Sequence, residues 1–542
     1  MTFKPTEEQR GVIESSASAV VIAGPGRGKT STAILAADRW ATVQPSKRVL
    51  FTSFSNSAVR RIAQAAGVGG VFRRSLDFRT FHSVAFEILA DYGRFVGLQR
   101  PAKALDRPGE HLVALEEQWP DERAAYAEAR RAHALKTGLV SFDDMVPFAV
   151  KLLDASPTLR RTVQRRYGCV IIDEFQDTRA EQAAFLQLIG GEARLLAFGD
   201  PHQMIYEHDF QTAATRFETM AAWKGEAVTT FRGRNYRCAA TDILDFAEAV
   251  LNGERFVGRH ANVLWNGVYD NQRRFSVALR CQSIWKAAAG SSIGIIAPNA
   301  RIGRELGAEL RTPGKGVKAA IPVHAAIEVD ANWAEAFRMV ALASSDYARE
   351  PSNSHRRQLA VALTSLEGET RRSTGSGLVR LSATEKLLSS SSRKASALRD
   401  FLAAPPDADI QVFANRLVGA LVADKTFEAV GHVIEKTGIP AVKSVVAVEQ
   451  FDAYRSSRSA VNFHGHEWSP SRTTLLTMQR AKGREFDHVV VITDPRAHRK
   501  EAPLSELRRL HYVACTRARQ SLFVLWNSSQ IGDVLGPVLH SI

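Results

Sequence analysis

Cysteine is scarce in this chain. Only four stand among 542 residues, Cys169, Cys238, Cys281 and Cys515, scattered, with no C-x-x-C pair and no histidine nearby at ligand spacing. Neither a disulfide framework nor a structural zinc site is expected, and a reducing compartment is. The opening residues, MTFKPTEEQR, lack the apolar core of a signal peptide, and no apolar run is long enough to span a bilayer. A cytoplasmic chain with no membrane partner is the expectation. No internal repeat is visible at the sequence level. Acidic residues are in deficit, with 57 Asp and Glu against 71 Lys and Arg, for a formal net charge of +14. That balance suggests a polyanionic partner, most simply nucleic acid, although an incidentally basic surface carries the same charge. The length favours several domains over one core, and a composition 45% hydrophobic and 24% charged is that of a globular protein.

The residues present are organised around AGPGRGKT at 23–30. The apolar, β-branched run Ala19-Val20-Val21-Ile22 before it reads as a buried strand, and the stretch from Ser31 to Ala37 reads as a helix. A strand, a glycine-rich turn and a helix are the context that a phosphate-binding loop needs. Gly24, Gly26 and Gly28 let successive N–H groups point at one anion, and the helix N-terminus adds partial positive charge. Lys29 can reach terminal phosphates and the Thr30 hydroxyl can hold magnesium. The strict pattern opens with glycine, where this chain has Ala23.

Polar groups recur at the ends of other strands. The run Cys169-Val170-Ile171-Ile172 ends in Asp173 and Glu174, and ligands bind at the carboxyl ends of parallel strands. Asp173 could contact magnesium through its water shell, and Glu174 could deprotonate a water that attacks a γ-phosphate. The strand 194–198 ends in Gly199-Asp200-Pro201-His202-Gln203, where Gln203 is either a γ-phosphate sensor or a loop glutamine. Thr6 and Gln9 suit a capping box, while the Gln9 amide could equally read an adenine edge. Phe54, at the exit of the strand 48–52, could stack on a base or pack in the core. Arg79-Thr80-Phe81-His82-Ser83 reads as a further polar turn, and Ser141-Phe142-Asp143-Asp144 as a helix start. In 231–237, FRGRNYR, Tyr236 could stack on a base and Arg237 could fork onto a phosphate, or both could sit in a solvated turn. The stretch 367–377, EGETRRSTGSG, and 389–392 read as flexible connections. Chemistry returns at 473–487, before the strand 488–493. ELRRLHYVACTRAR at 506–519 reads as a basic helix ahead of a last strand, 521–526. Its arginines could reach a γ-phosphate from a second domain, or form a solvated face. Both halves alternate strand and helix, which predicts two α/β units.

Taken together, these residues resemble superfamily 1 DNA helicases of the UvrD/Rep type. The resemblance rests on AGPGRGKT at 23–30, FTSFSNSA at 51–58, TFHS at 80–83 and IIDEFQDT at 171–178. It continues through GDPHQMIY at 199–206, NYRC at 235–238, TMQRAKGREFD at 477–487 and RRLHYVACTRAR at 508–519, in the family's order. DEFQDT and YVACTRA are the most specific, and GDPHQMIY with YVACTRA leans toward the RecB/AddA branch.

The resemblance implies an α/β fold of two RecA-like parallel-sheet domains with ATP in the cleft between them, plus helical insertions. The first domain is expected at 1–93 and 166–234 with an insertion at 94–165, the second at 235–367 and 457–542 with a reduced insertion at 368–456. By the same resemblance, Gln9 reads adenine and Tyr236 stacks on it. Gly24, Gly26, Gly28, Lys29, Thr30 and Ser31 hold ATP, and Thr30 and Asp173 serve Mg2+. Glu174 is the base, Gln203 senses the γ-phosphate, Arg237 and Arg517 reach it, and Glu485 lies near ribose and phosphate. Phe54, Asn56, His82, Tyr206 and Thr477 resemble positions that touch single-stranded DNA.

There are departures. Glu207-His208-Asp209-Phe210 stands where the family usually has an aromatic and an arginine, and Gln479 replaces a usual histidine. Both insertions are expected to be trimmed, and no nuclease-like segment is expected after Arg519. Two functional classes follow. One is an ATP-driven 3′–5′ motor on single-stranded or tailed DNA. The other is a DNA-responsive ATPase that regulates a partner nuclease in an antiphage complex of the Gabija-like kind.

Overall fold

The computed structural model describes residues 4–53, 75–105, 122–205, 213–224, 228–232, 235–238, 241–258, 262–268, 270–288, 290–299, 346–371, 397–406, 410–423, 473–497, 502–527 and 532–539, with shorter pieces within 109–120 and 302–344 and residue 388. The fold is mixed α/β, built on parallel sheets with many helices. The chain divides into two compact units. One comprises Met1–Leu105, His133–Gly267 and Ala481–Ile542, and the other Asp106–Ala132 and Val268–Arg480.

In the first unit, β1 (Ala19–Ala23), β2 (Arg48–Ser53) and β3 (Leu76–Thr80) are followed by two three-residue strands, β4 (Lys103–Leu105) and β5 (Leu139–Ser141), which pair in parallel. Next come β6 (Tyr167–Ile172), β7 (Arg194–Gly199) and β8 (Val228–Phe231). Six of these strands form one sheet in the order β3-β2-β6-β7-β1-β8, parallel at every pairing. β6 and β7 are buried along their whole length, as strands covered on both faces must be, which explains the apolar runs at 169–172 and 195–198. Phe51, Cys169, Ile171, Leu196 and Phe198 fill one side of the sheet, against the helix Lys29–Val43. Leu50, Val170, Ile172, Leu195 and Ala197 fill the other, with Phe81, Ile88, Leu152, Phe185 and Phe217. Because every strand runs the same way, the ends of β1, β6 and β7 gather on one edge, and the polar residues that follow each strand gather with them.

Later in the same unit, β9 (Val263–Val268) flanks β13 (Ala518–Asn527), which pairs in parallel with β12 (Phe486–Thr493) from Phe486↔Ala518 to Thr493↔Trp526. The helix Leu504–Cys515 buries His511, Tyr512, Val513 and Ala514. In the second unit, β10 (Ile293–Ala297) and β11 (Thr473–Thr477) pair in parallel. There the helices Asn353–Arg371, Ala397–Ala403 and Ile410–Ala423 pack around Leu359, Leu363, Leu398, Leu402, Phe413 and Leu417. No helix among the described residues is long and apolar enough to cross a membrane.

Three local readings change. The basic helix expected over 506–519 spans Leu504–Cys515 instead. The chain turns as Thr516 N–H donates to Tyr512 O (3.0 Å) and Arg517 N–H to Ala514 O (3.3 Å), leaving Arg517 in the turn and Arg519 in β13. The polar turn expected at 79–83 is a strand end and a helix start, since the Thr80 hydroxyl accepts from Ser83 N–H (3.3 Å) and caps the helix Phe81–Tyr92. Glu367 to Arg371, read as a connection, continue the helix Asn353–Arg371. The rest of 367–377, and 389–392, lie outside the described residues. The helix start at 141–144 is present: Ser141 Oγ accepts from Asp143 N–H at 3.2 Å.

Candidate active site

The glycine-rich loop leaves β1 and enters the helix Lys29–Val43 through Gly28, which sits in the left-handed region with φ 76°, as does Gly26 with φ 70°. Both conformations favour glycine. A Cβ on Gly26 would lie 2.8 Å from the Arg237 Cβ and would collide with the Asn235 amide oxygen. The segment from Asn235 to Arg237 therefore presses on the loop, and the Tyr236 N–H donates to Gly26 O at 2.8 Å. Lys29 folds back over the loop, its Nζ donating to Ala23 O (2.6 Å) and Gly24 O (3.2 Å).

Gln9 is buried and completes the capping box, its Oε1 accepting from Thr6 N–H at 2.8 Å. Its Nε2 donates to Arg27 O (2.9 Å), and the Tyr236 hydroxyl lies 3.4 Å from its Oε1. The cap therefore accounts for one half of the amide, while the other half ties the first helix to the loop. Beside them, the Tyr236 hydroxyl donates to Lys4 O at 2.7 Å.

At the end of β6, the Thr30 hydroxyl donates to Asp173 Oδ2 at 3.2 Å. A hydroxyl and a buried carboxylate converging beside the anion loop are the hard oxygen donors that magnesium takes, so these residues fit that ion. Glu174 adopts a left-handed conformation, φ 58° and ψ 43°, a strained state for a residue with a side chain. Local bonds hold it there. Its N–H donates to Asp173 Oδ1 (3.1 Å), its carbonyl accepts from Asp177 N–H (3.0 Å), and its Oε2 accepts from Gln176 Nε2 (2.6 Å). Burial pushes the Glu174 carboxyl up, but the Lys482 and Lys29 ammonium groups, the Gln176 bond and Arg517 outweigh it and hold the pKa down at about 2. A carboxylate so placed stays ionised and can accept a proton from a bound water.

Gln176, fully buried, links the ends of β6 and β7: its Oε1 accepts from Asp200 N–H at 3.0 Å and its carbonyl from Arg216 Nη1 at 2.7 Å. Asp200 in turn accepts from Gln203 Nε2 at 2.8 Å. That orients the Gln203 amide so that its Oε1 accepts from Arg517 Nη2 at 3.1 Å.

Arg517, though it follows Gln203 by more than three hundred residues, is buried in the same network. Its Nε donates to Val513 O (2.8 Å) and its Nη2 also to Thr516 Oγ1 (2.8 Å). Burial first, then the neighbouring Arg237 charge, lower its pKa to about 10, so it remains a cation at neutral pH. Arg237 donates through Nη1 to Thr516 O (3.1 Å) and pairs closely with Glu485. The same Glu485 accepts from Arg519 Nη2 at 2.9 Å. Burial raises the Glu485 pKa, but those two arginines overcome it and lower it below the usual carboxylate value.

The bonds thus bring together Gln9, Gly26, Lys29, Thr30, Asp173, Glu174, Gln203, Tyr236, Arg237, Glu485 and Arg517. Gly24 and Gly28 belong to the loop itself, and Ser31 lies in the first turn of the helix that follows. The network also takes in residues to which the sequence alone gave no role. Lys482 donates from one Nζ to Asp177 Oδ1 and Gln203 O, both at 2.6 Å, and Asn235 Oδ1 accepts from Arg237 N–H at 2.7 Å. A cation within AKGRE and an amide before an aromatic were the available signals.

The DNA candidates fall elsewhere. His82 opens the helix Phe81–Tyr92, its ring 6.0 Å from the Phe142 ring, and burial and then Arg179 lower its pKa. Thr477 ends β11 in the second unit, its hydroxyl accepting from Arg480 N–H at 3.3 Å. Phe54, Asn56 and Tyr206 lie outside the described residues or, for Tyr206, just past their edge at Ile205.

Comparison with known proteins decides the family. The family model for the UvrD/REP helicase N-terminal domain matches residues 5–132 and 114–218, and that for the UvrD-like helicase C-terminal domain matches 473–525. The chain belongs to the UvrD/REP helicase family. Among curated proteins, it is 24% identical over 294 residues to "ATP-dependent DNA helicase PcrA" of Leuconostoc citreum, covering 43% of this chain and 37% of the relative. To "ATP-dependent DNA helicase UvrD1" of Mycobacterium tuberculosis it is 26% identical over 319 residues, covering 48% and 40%. To one component of an "ATP-dependent helicase/nuclease" of Streptococcus pyogenes it is 25% identical over 173 residues, covering 31% and 14%. The matches to PcrA and UvrD1 span about two fifths of those relatives' length.

Proposed function

We propose that this UvrD/REP family chain hydrolyses ATP at the 23–30 loop and uses the turnover to move 3′ to 5′ along single-stranded DNA, separating duplex from a tail. The observation that carries the reading is the closed network in which a left-handed Glu174 is held ionised while Arg517 grips Gln203. In this reading Gly24, Gly26, Gly28, Lys29 and Ser31 hold the phosphates. Thr30 and Asp173 would hold Mg2+, which supplies charge neutralisation at the phosphates when bound. Glu174 takes the proton of the attacking water, Gln203 reports the γ-phosphate, and Arg237 and Arg517 stabilise the transition-state charge. Tyr236 stacks on adenine, Gln9 reads its edge by exchanging the bond to Arg27 O, and Glu485 fixes Arg237 near the ribose. Phe54, Asn56, His82, Tyr206 and Thr477 line the DNA path. The two RecA-like lobes are then 1–93 with 166–234 and 235–367 with 457–542, with 94–165 and 368–456 as the insertions. A cytoplasmic setting goes with this reading, and the net charge of +14 suits a polyanionic track.

A second reading is a DNA-responsive ATPase that serves a partner nuclease in antiphage defence and unwinds little alone. Two observations favour it: the altered segment Glu207-His208-Asp209-Phe210, and the similarity to a component of a protein named a helicase/nuclease. Phosphate release with and without single-stranded DNA, then unwinding of a 3′-tailed duplex, separates them. DNA-stimulated hydrolysis with unwinding supports the motor, and stimulated hydrolysis without unwinding supports the regulator. Hydrolysis that survives Lys29→Ala sinks both.

A further inference from the structure

Tyr512 has no role in the assignments above, yet its placement sets it apart from its neighbours. It lies on the helix Leu504–Cys515 and is only 3% exposed. Its ring meets the His202 ring edge-on, with centroids 6.2 Å apart, and His202 directly precedes Gln203. Its hydroxyl reaches the glycine-rich loop: a Cβ built on Gly24 would lie 3.9 Å from it, beside the Arg27 side chain. A buried phenol normally finds a hydrogen-bond partner. Among the described residues the Tyr512 hydroxyl makes no hydrogen bond, and it is not one of the fully buried side-chain atoms left without a partner, so the oxygen opens onto accessible space beside the loop.

The position of the hydroxyl identifies its partner. It lies against Gly24, whose carbonyl accepts from Lys29 Nζ, and it enters from the element that also anchors Arg517. Glu174 and Gln203 belong to the same network, so an oxygen held there belongs to the outermost phosphate of a bound nucleotide rather than to its base. We propose that Tyr512 is a phosphate-binding residue, its hydroxyl donating a hydrogen bond to a terminal phosphate oxygen of a nucleoside triphosphate. The inference rests on the reading of the 23–30 loop as the triphosphate site. Burial, then the Asp200 and Glu248 carboxylates, push the phenol well above its ordinary pKa, so it remains a donor at neutral and mildly alkaline pH. A neutral donor adds no charge to the crowded cations. It therefore discriminates three phosphates from two by geometry alone, and only when the helix Leu504–Cys515 is seated on the loop.

The test is Tyr512→Phe, which keeps the ring, the His202 contact and the helix packing, and removes one oxygen. Binding of fluorescently labelled ATP and ADP to the full chain would be measured by anisotropy, with Lys29→Ala as the control for the site itself. The expected result is an ATP affinity about tenfold or more weaker, with ADP affinity unchanged and the melting temperature preserved, as for a lost hydrogen bond to a charged group. ATP and ADP affinities that both match wild type would overturn the proposal, as would equal losses for the two nucleotides, which mark a packing role. If wild type and Lys29→Ala bind ATP equally, the reading of the loop itself fails. If only Tyr512→Phe is silent, the loop stands and Tyr512 is excluded.

Discussion

Replacing Arg517 with lysine keeps the charge and removes the fork. The wild-type guanidinium donates at once from Nε to Val513 O at 2.8 Å and from Nη2 to Thr516 Oγ1 at 2.8 Å and Gln203 Oε1 at 3.1 Å, two nitrogens fixed in one rigid plane. An ammonium on a flexible stem cannot span the helix carbonyl and the Gln203 amide together. One bond to a charged donor contributes about 1.5–3 kcal/mol, so losing the Gln203 or Val513 contact should cost stability of about that size. The larger effect is on turnover. An arginine that meets a transferring phosphoryl group contributes roughly 10³–10⁵ in kcat, and lysine restores only its point charge. Arg517→Lys should therefore lower kcat by about a hundredfold or more while leaving ATP affinity within about tenfold, because the interaction is strongest in the transition state. Steady-state phosphate release gives kcat, and fluorescent-nucleotide binding gives affinity. A variant within about threefold of wild-type kcat would refute the argument that this guanidinium acts on the reacting phosphate.

Other expectations follow from the same geometry. Glu174→Gln should bind ATP but release phosphate far more slowly, and wild-type turnover would remove its role as base. Because the folded pKa of Glu174 is depressed to about 2, its stabilising contribution is present above about 4.5 and fades as pH falls toward 2. Urea unfolding should thus show Glu174→Gln less stable than wild type at pH 7, by about 1–3 kcal/mol, with the gap shrinking below about pH 4.5 and closing only as pH approaches 2; a gap independent of pH would contradict the ionised assignment. Gly26→Ala must place a side chain at φ 70° and against Asn235 and Arg237. It should cost about 1–2 kcal/mol from the backbone alone and weaken ATP binding, and a variant that melts and binds like wild type would show that the 235–237 segment does not press on the loop. Affinity for single-stranded DNA should fall linearly in logarithmic terms with salt, by about 0.7 per phosphate neutralised, and a flat titration would exclude a phosphate-dominated contact.

What could be read in the sequence was local. β1, β6 and β7 announce themselves as continuous apolar runs because both faces of each strand are covered, and the residues just past their ends are polar. That is why Lys29, Asp173, Glu174 and Gln203 were legible as a set. The capping box at Thr6 and Gln9 was legible for the same reason, since both halves lie within four residues. The bonds that close the network were not. Lys482 meets Asp177 and Gln203 across roughly three hundred residues of chain, a pairing that no period or spacing encodes. Asn235 stood beside a recognisable aromatic, but its contact with Gly26 depends on where the loop folds. The end of the basic helix at Cys515 was missed because ELRRLHYVACTRAR keeps its helical rhythm past the turn. A local hydrogen bond from Arg517 N–H to Ala514 O ends the helix and turns that side chain inward.

The hydrogen bond between Gln203 and Arg517 also bears on how the protein is made. Synthesis delivers the glycine loop, the paired carboxylates and Gln203 first, and all of them can settle into the parallel sheet. The guanidinium that grips Gln203 arrives more than three hundred residues later. A nascent chain can therefore hold most of this network early in its synthesis while still lacking the guanidinium that closes it onto Gln203.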